Sequence, residues 1–151
     1  MITLTDYWKG RNILYGDELT EEILGNAEVT VARCNELLNR AGRAGADTVN
    51  SGWRPQSVND ATANSAKGSK HLTAEAVDLA DPDGSLAQWC MDHVDVLVEL
   101  ELWMEHPGWT VGWVHLQTLP PGNPPRARVR VFIPSSAPAR RATFGTAPVV
   151  V

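Results

Sequence analysis

The sequence predicts an α+β domain, a small antiparallel sheet with helices packed on one face. Three observations carry this expectation. Residues 17–43 hold an apolar stripe near helical period, and a second such stripe lies at 85–97. Short apolar runs of strand length recur at 48–53, 75–81, 99–105, 111–117 and 128–133. The segments between are rich in Gly, Pro, Asn, Asp and Ser, the residues of turns. At 151 residues the chain has the size of one domain. The expected domain covers 1–133, followed by a basic, loosely ordered tail over 134–151.

The first helical segment, "DELTEEILGNAEVTVARCNELLNRAGR", is one helix or two joined helices. Thr20 is placed to cap a start at Glu21, and Ile23, Leu24, Ala27, Val31, Cys34, Leu37 and Leu38 form its stripe. Gly25 weakens that start, and "RAGRAGAD" ends the helix. "TVNSGW" is a strand that Pro55 helps to stop, and 54–70 is a long loop of the kind usually reserved for function. "EAVDLAD" is the next strand, "DPDGS" a turn, and Leu86, Trp89, Cys90, Val94 and Leu97 share one side of the following helix. Residues 99–105 and 111–117 are strands around the turn "HPGWT", and "RVRVFI" is a further strand after the Pro-rich "LPPGNPP".

Composition narrows the function. The hydrophobic fraction of 43% and charged fraction of 21% belong to a globular protein, and no run approaches the roughly 18 apolar residues of a membrane span. No basic segment followed by an apolar one opens the chain, so no export signal is expected. All 18 acidic residues precede residue 119, whereas Arg126, Arg128, Arg130, Arg140 and Arg141 follow it. An acidic body argues against a nucleic-acid enzyme, and the basic tail is expected to lie across that body. Cys34 and Cys90 both sit among apolar helix residues and are expected to be reduced.

The hairpin suggests a site. In strict alternation Leu100, Leu102 and Met104 face the core, leaving Glu101, Trp103 and Glu105 on the other side. On the second strand Trp113, His115 and Gln117 share that outer side. A five-residue turn pairing 105 with 111 gathers Glu101, Trp103, Glu105, Trp113 and His115 on one surface. Nearby, "SKHLTAEAVDLAD" places His71 seven residues before Asp78, a carboxylate inside an apolar run. Asp78 lies either on the wet face of a half-buried strand or beside something positive. Two imidazoles and one carboxylate, His71, Asp78 and His115, suit a zinc site with an open fourth position. His93 has the setting of a surface or satisfied structural histidine.

These motifs resemble a known family. "SKHLTAEAVD" is similar to the S-x-H-x-x-G-x-A-x-D signature of the zinc D-alanyl-D-alanine carboxypeptidases, which include bacterial dipeptidases and the L-alanyl-D-glutamate endopeptidases of phage endolysins. "SGWRP" resembles the S-G-[YW]-R segment that precedes the signature, and "GWVHLQ" the W-x-H segment that carries the last ligand. The resemblance runs from about Asn50 to Gln117 with the motifs in family order.

It implies a Hedgehog/DD-peptidase-like fold and one Zn2+ held by His71, Asp78 and His115. It further implies a peptidase acting on peptidoglycan stem peptides, phage or prophage encoded, in which Arg54 binds substrate carboxylate or polarises the scissile carbonyl. A structural salt bridge is the competing reading of Arg54. Ser69 becomes a substrate-binding or second hydrogen-bonding residue, or a turn cap. Trp53, Trp103 and Trp113 wall the cleft or fill core. A monomer is expected, made in the host cytoplasm and reaching the wall after release, or carried in a virion. Two departures stand out. Ala74 replaces the signature glycine, and Gly112 replaces a glutamate that many relatives use as general base. Glu105 is the substitute base by the hairpin argument, with Glu101 second and His106 a proton-transfer partner or a loop residue. The alternative is a non-catalytic, metal-stabilised virion or cell-wall-binding module on the same fold. A domain that binds no metal would need the three ligands to diverge in space.

Overall fold

A computed structural model describes residues 1–43, 48–134 and 144–151. The chain opens with α1 (Leu4–Trp8), whose first turn is closed by reciprocal Thr3–Asp6 hydrogen bonds, and α2 (Arg11–Leu14). A 3-10 turn at Gly16–Glu18 leads into α3 (Glu21–Arg40), a single 20-residue helix. The Thr20 hydroxyl accepts from Ile23 N at its start, as the sequence predicts. Its end is a Schellman closure: Gly42 is left-handed at φ 70°, and Arg43 N reaches back to the Leu38 carbonyl.

Then follow β1 (Val49–Ser51), α4 (Gln56–Ala61), β2 (Ala76–Ala80), α5 (Ser85–Asp92) and α6 (Val94–Glu99). The strands β3 (Trp103–Glu105), β4 (Trp113–Gln117), β5 (Val129–Phe132) and β6 (Val149–Val150) complete the sheet, in the order β1-β2-β4-β3-β5-β6. Among the described residues no helix is long and apolar enough to cross a membrane.

The α+β class holds, but the sheet is mixed rather than antiparallel, because β5 runs parallel to β3. Both edges of β4 are already taken by β2 and β3, so the next strand goes to the free edge of β3. The chain end, expected to be loose, adds β6 antiparallel to β5. Arg140 and Arg141 of the basic tail lie outside the described residues. The expected helix over 85–97 is two helices, broken at His93, whose Nδ1 lies 2.8 Å from the Trp89 carbonyl and whose ring stacks on Trp89. Asp81 accepts from Leu86 N and Ala87 N and so satisfies the orphan donors at the start of α5.

One core joins the helices to the sheet. Ala27, Val31, Cys34, Leu37 and Leu38 of α3, Leu86 and Cys90 of α5 and Leu97 of α6 pack with Val77, Leu79, Met104, Val114, Leu116 and Val131. Both cysteine thiols are buried and unpaired, and burial pushes the Cys34 thiol up to about 12. The alternate residues of the same strands face the other way, and they carry the site.

Candidate metal centre

The strand register puts one row of side chains across the sheet. Ser51 pairs with Asp78, Asp78 with His115, and Glu105 with Phe132. Met104 pairs with Leu116, so the next step sets Glu105 beside His115. The turn between β3 and β4 is longer than expected and displaces the register from the expected Glu105–Val111 pairing. The displacement is an even four residues, so every side chain keeps its face.

His71, from the turn before β2, converges on that row with Asp78 and His115, one side-chain N or O atom from each lying within 4.8 Å of the others. Asp78 Oδ1 lies 2.8 Å from His115 Nδ1, and Asp78 Oδ2 lies 3.3 Å from both His71 Nε2 and Arg54 Nη2. The carboxylate in the apolar run is thus 7% exposed and encircled by two imidazoles and a guanidinium. Burial by itself would raise its pKa, but the hydrogen bond and charge of His115 hold it well below the usual carboxylate range.

The donor set fits a metal. His71 Nδ1 donates to the Gly52 carbonyl at 2.7 Å, which leaves the lone pair on Nε2. That Nε2 is buried and makes no hydrogen bond. A buried acceptor without a partner costs roughly 1–3 kcal/mol, so its retention beside a carboxylate and a second imidazole is what a cation site needs. Burial pulls the His71 pKa down, which keeps the ring neutral and able to ligate.

His115 is opposite in sign. Burial depresses its pKa, but the bond to Asp78 and the charges of Asp78 and Glu105 outweigh that and raise it. Without metal, stability contributed by His115 is therefore fully present below the unfolded value near 6.5 and lost as pH rises through the higher folded value. In chemical denaturation of metal-free protein, the gap between wild type and His115→Gln is expected to be widest below about pH 6.5 and to close above it. A gap that widens with pH contradicts the arrangement.

The other expected residues divide. Arg54 is 9% exposed and already bonded, through Nη2 to Asp78 and through Nε to Ser51 Oγ at 3.1 Å. The salt bridge is therefore formed, at the edge of the cluster itself. The Ser69 hydroxyl accepts from His71 N at 3.3 Å and caps the turn that presents His71. Trp113 is half-buried, its ring 6.5 Å from that of His115, and it does stand beside the site. Trp53 does not: it is 1% exposed, packs edge-on against Trp8 and donates to the Leu72 carbonyl. Trp103 is also buried, its indole donating to Ala127 and its ring covered by Arg130.

The two candidate bases separate as well. Glu105 is half-buried; burial and the Asp78 charge raise its pKa, and His115 partly offsets this. Glu101 is removed from the site. It follows the end of α6 with φ 50°, and its carboxylate bonds Arg33 at 2.8 Å on the surface. His106 is a turn residue whose Nδ1 accepts from Gly108 N. Gly112 is left-handed at φ 86° in the turn before β4, a conformation that disfavours glutamate. Ala74, at the signature glycine position, is left-handed too, at φ 59°.

Two contributors were not singled out from sequence. The Gly52 carbonyl is a backbone atom and invisible to residue type. Gln117, whose Oε1 lies 3.2 Å from His115 Nε2, was visible only as sharing the face of His115. No protein-family model, curated protein or solved structure matches the chain.

Proposed function

We propose that the protein is a zinc-dependent peptidase of Hedgehog/DD-peptidase-like fold that cleaves a peptide bond in the peptidoglycan stem. The observation that carries the reading is the buried His71–Asp78–His115 cluster with Glu105 on the neighbouring strand. Two imidazoles and a carboxylate suit zinc, and the resemblance of "SGWRP", "SKHLTAEAVD" and "GWVHLQ" to the peptidase signatures supplies the substrate class.

His71 through Nε2, Asp78 through a carboxylate oxygen and His115 through Nδ1 would hold the metal. When bound, zinc supplies Lewis acidity that acidifies a water and polarises a carbonyl. Glu105 takes the proton at its carboxylate and returns it to the departing amine; burial raises its pKa, the direction that favours holding that proton. Arg54 fixes the orientation of Asp78 and adds positive charge for a substrate carboxylate or carbonyl oxygen. Trp113 gives the cleft an apolar wall.

Gly112 favours a second reading, a metal-stabilised wall-binding or virion module without catalysis, because the glutamate of many relatives is missing there. Zinc-loaded protein on purified peptidoglycan, scored by new amino termini, separates the two. Glu105→Gln is expected to keep its metal and lose about 10²- to 10⁴-fold in rate. Glu101→Ala is expected to match wild type, since its carboxylate serves a surface ion pair. Wild type that binds zinc and the polymer yet releases no termini would establish the module instead.

A further inference from the structure

Gln117 lies two residues beyond His115 on β4, on the same face of the sheet, and is 4% exposed. Its amide is held at both ends. The nitrogen donates to the Leu119 carbonyl at 2.6 Å, and the oxygen lies 3.2 Å from His115 Nε2. A carbonyl only accepts, so Leu119 decides which end of the amide is nitrogen and leaves an acceptor facing the imidazole. His115 Nε2 must then carry hydrogen. In a neutral ring the lone pair falls on Nδ1, the atom 2.8 Å from Asp78 Oδ1.

His71 has the reverse arrangement, with Nδ1 tied to the Gly52 carbonyl and Nε2 facing Asp78. The two imidazoles thus approach the cluster through different nitrogens, one anchored on a backbone carbonyl directly and the other through the Gln117 amide. Simple packing does not account for the amide. An aliphatic side chain would fill a buried strand position without two polar groups to satisfy.

We propose that Gln117 is a positioning residue that holds His115 with its Nε2–H outward, so that Nδ1 is the nitrogen offered to the metal. The inference rests on the metal reading of the cluster. Gln117 acts through His115 and touches no reacting atom.

The test is made on zinc-loaded protein. Long-range proton–nitrogen NMR of wild type is expected to show His115 coordinated at Nδ1 and protonated at Nε2. Competition with a chelator is expected to give Gln117→Leu an affinity about 10- to 100-fold weaker, while Gln117→Glu, which keeps the acceptor, restores most of it. Zinc on His115 Nε2 in wild type overturns the proposal, as does a Gln117→Leu protein with unchanged affinity and unchanged coordinating nitrogen. If Gln117→Leu fails to fold, the wild-type nitrogen assignment and the Gln117→Glu affinity decide. Wild type that takes up no zinc removes the metal reading and this proposal with it, an outcome distinct from the other two.

Discussion

Asp78→Ala is expected to remove any metal binding by the cluster and, without metal, to leave the protein about 3–5 kcal/mol less stable at neutral pH. The carboxylate sits within 3.3 Å of His71 Nε2 and Arg54 Nη2 and 2.8 Å from His115 Nδ1. Deleting it strands a buried guanidinium with no counter-charge, which costs more than the net worth of the pair. The sign with pH follows from a carboxylate pKa held below its ordinary value. The contribution of Asp78 is present above the unfolded value near 3.9 and is lost as pH falls through the folded value. Denaturant unfolding of wild type and Asp78→Ala at pH 7, and again in acid, measures this. Equal stabilities at pH 7 would mean that the cluster is solvated and that Asp78 is an ordinary wet-face residue.

Gly52→Ala is expected to be nearly as damaging although it adds one methyl group. A Cβ there would stand 2.1 Å from the Tyr7 carbonyl oxygen and 2.8 Å and 2.9 Å from its ring. The first of these is backbone and cannot rotate away. Tyr7 is itself fully buried, its hydroxyl bonded to the Ala76 carbonyl and its ring edge-on to Trp8. Helix α1 must therefore shift, or β1 must. Overpacking of this kind costs roughly 3 kcal/mol or more. Movement of β1 also shifts the carbonyl that orients His71, so zinc affinity is expected to fall together with melting temperature. Gly25→Ala in α3 is the control, since nothing lies within 4 Å of its Cβ; helix propensity there predicts a gain of about 1 kcal/mol. Opposite signs for the two substitutions check both statements in one thermal melt.

Much of the site was legible in the chain because strand alternation is a local property. Period two put His115 and Glu105 on one face, and an even displacement of the register left that prediction intact. Asp78 in an apolar run left a wet face or a positive neighbour open, and packing decided for the second, while Thr20 marked the start of α3 to the residue. Glu101 misled because alternation was extended back into 99–102, where the chain is still leaving α6 and turns through φ 50°. Trp53 misled because a tryptophan beside a site motif has the same composition whether it walls a cleft or fills a core. Only the packing of Trp8 against it distinguishes the two.

The sequence by itself thus determined the α+β class, the capped long helix, the face on which the chemistry lies and the three residues that converge there. Tertiary structure decided the rest. It paired β5 parallel to β3, a non-local pairing that no local pattern specifies. It set Glu105 beside His115 and took Glu101 away to Arg33, since the chain at 99–102 is still leaving α6. It also chose the nitrogen that each histidine presents, since that depends on acceptors at Gly52 and Gln117, which long-range folding and a strand's pleat bring into place.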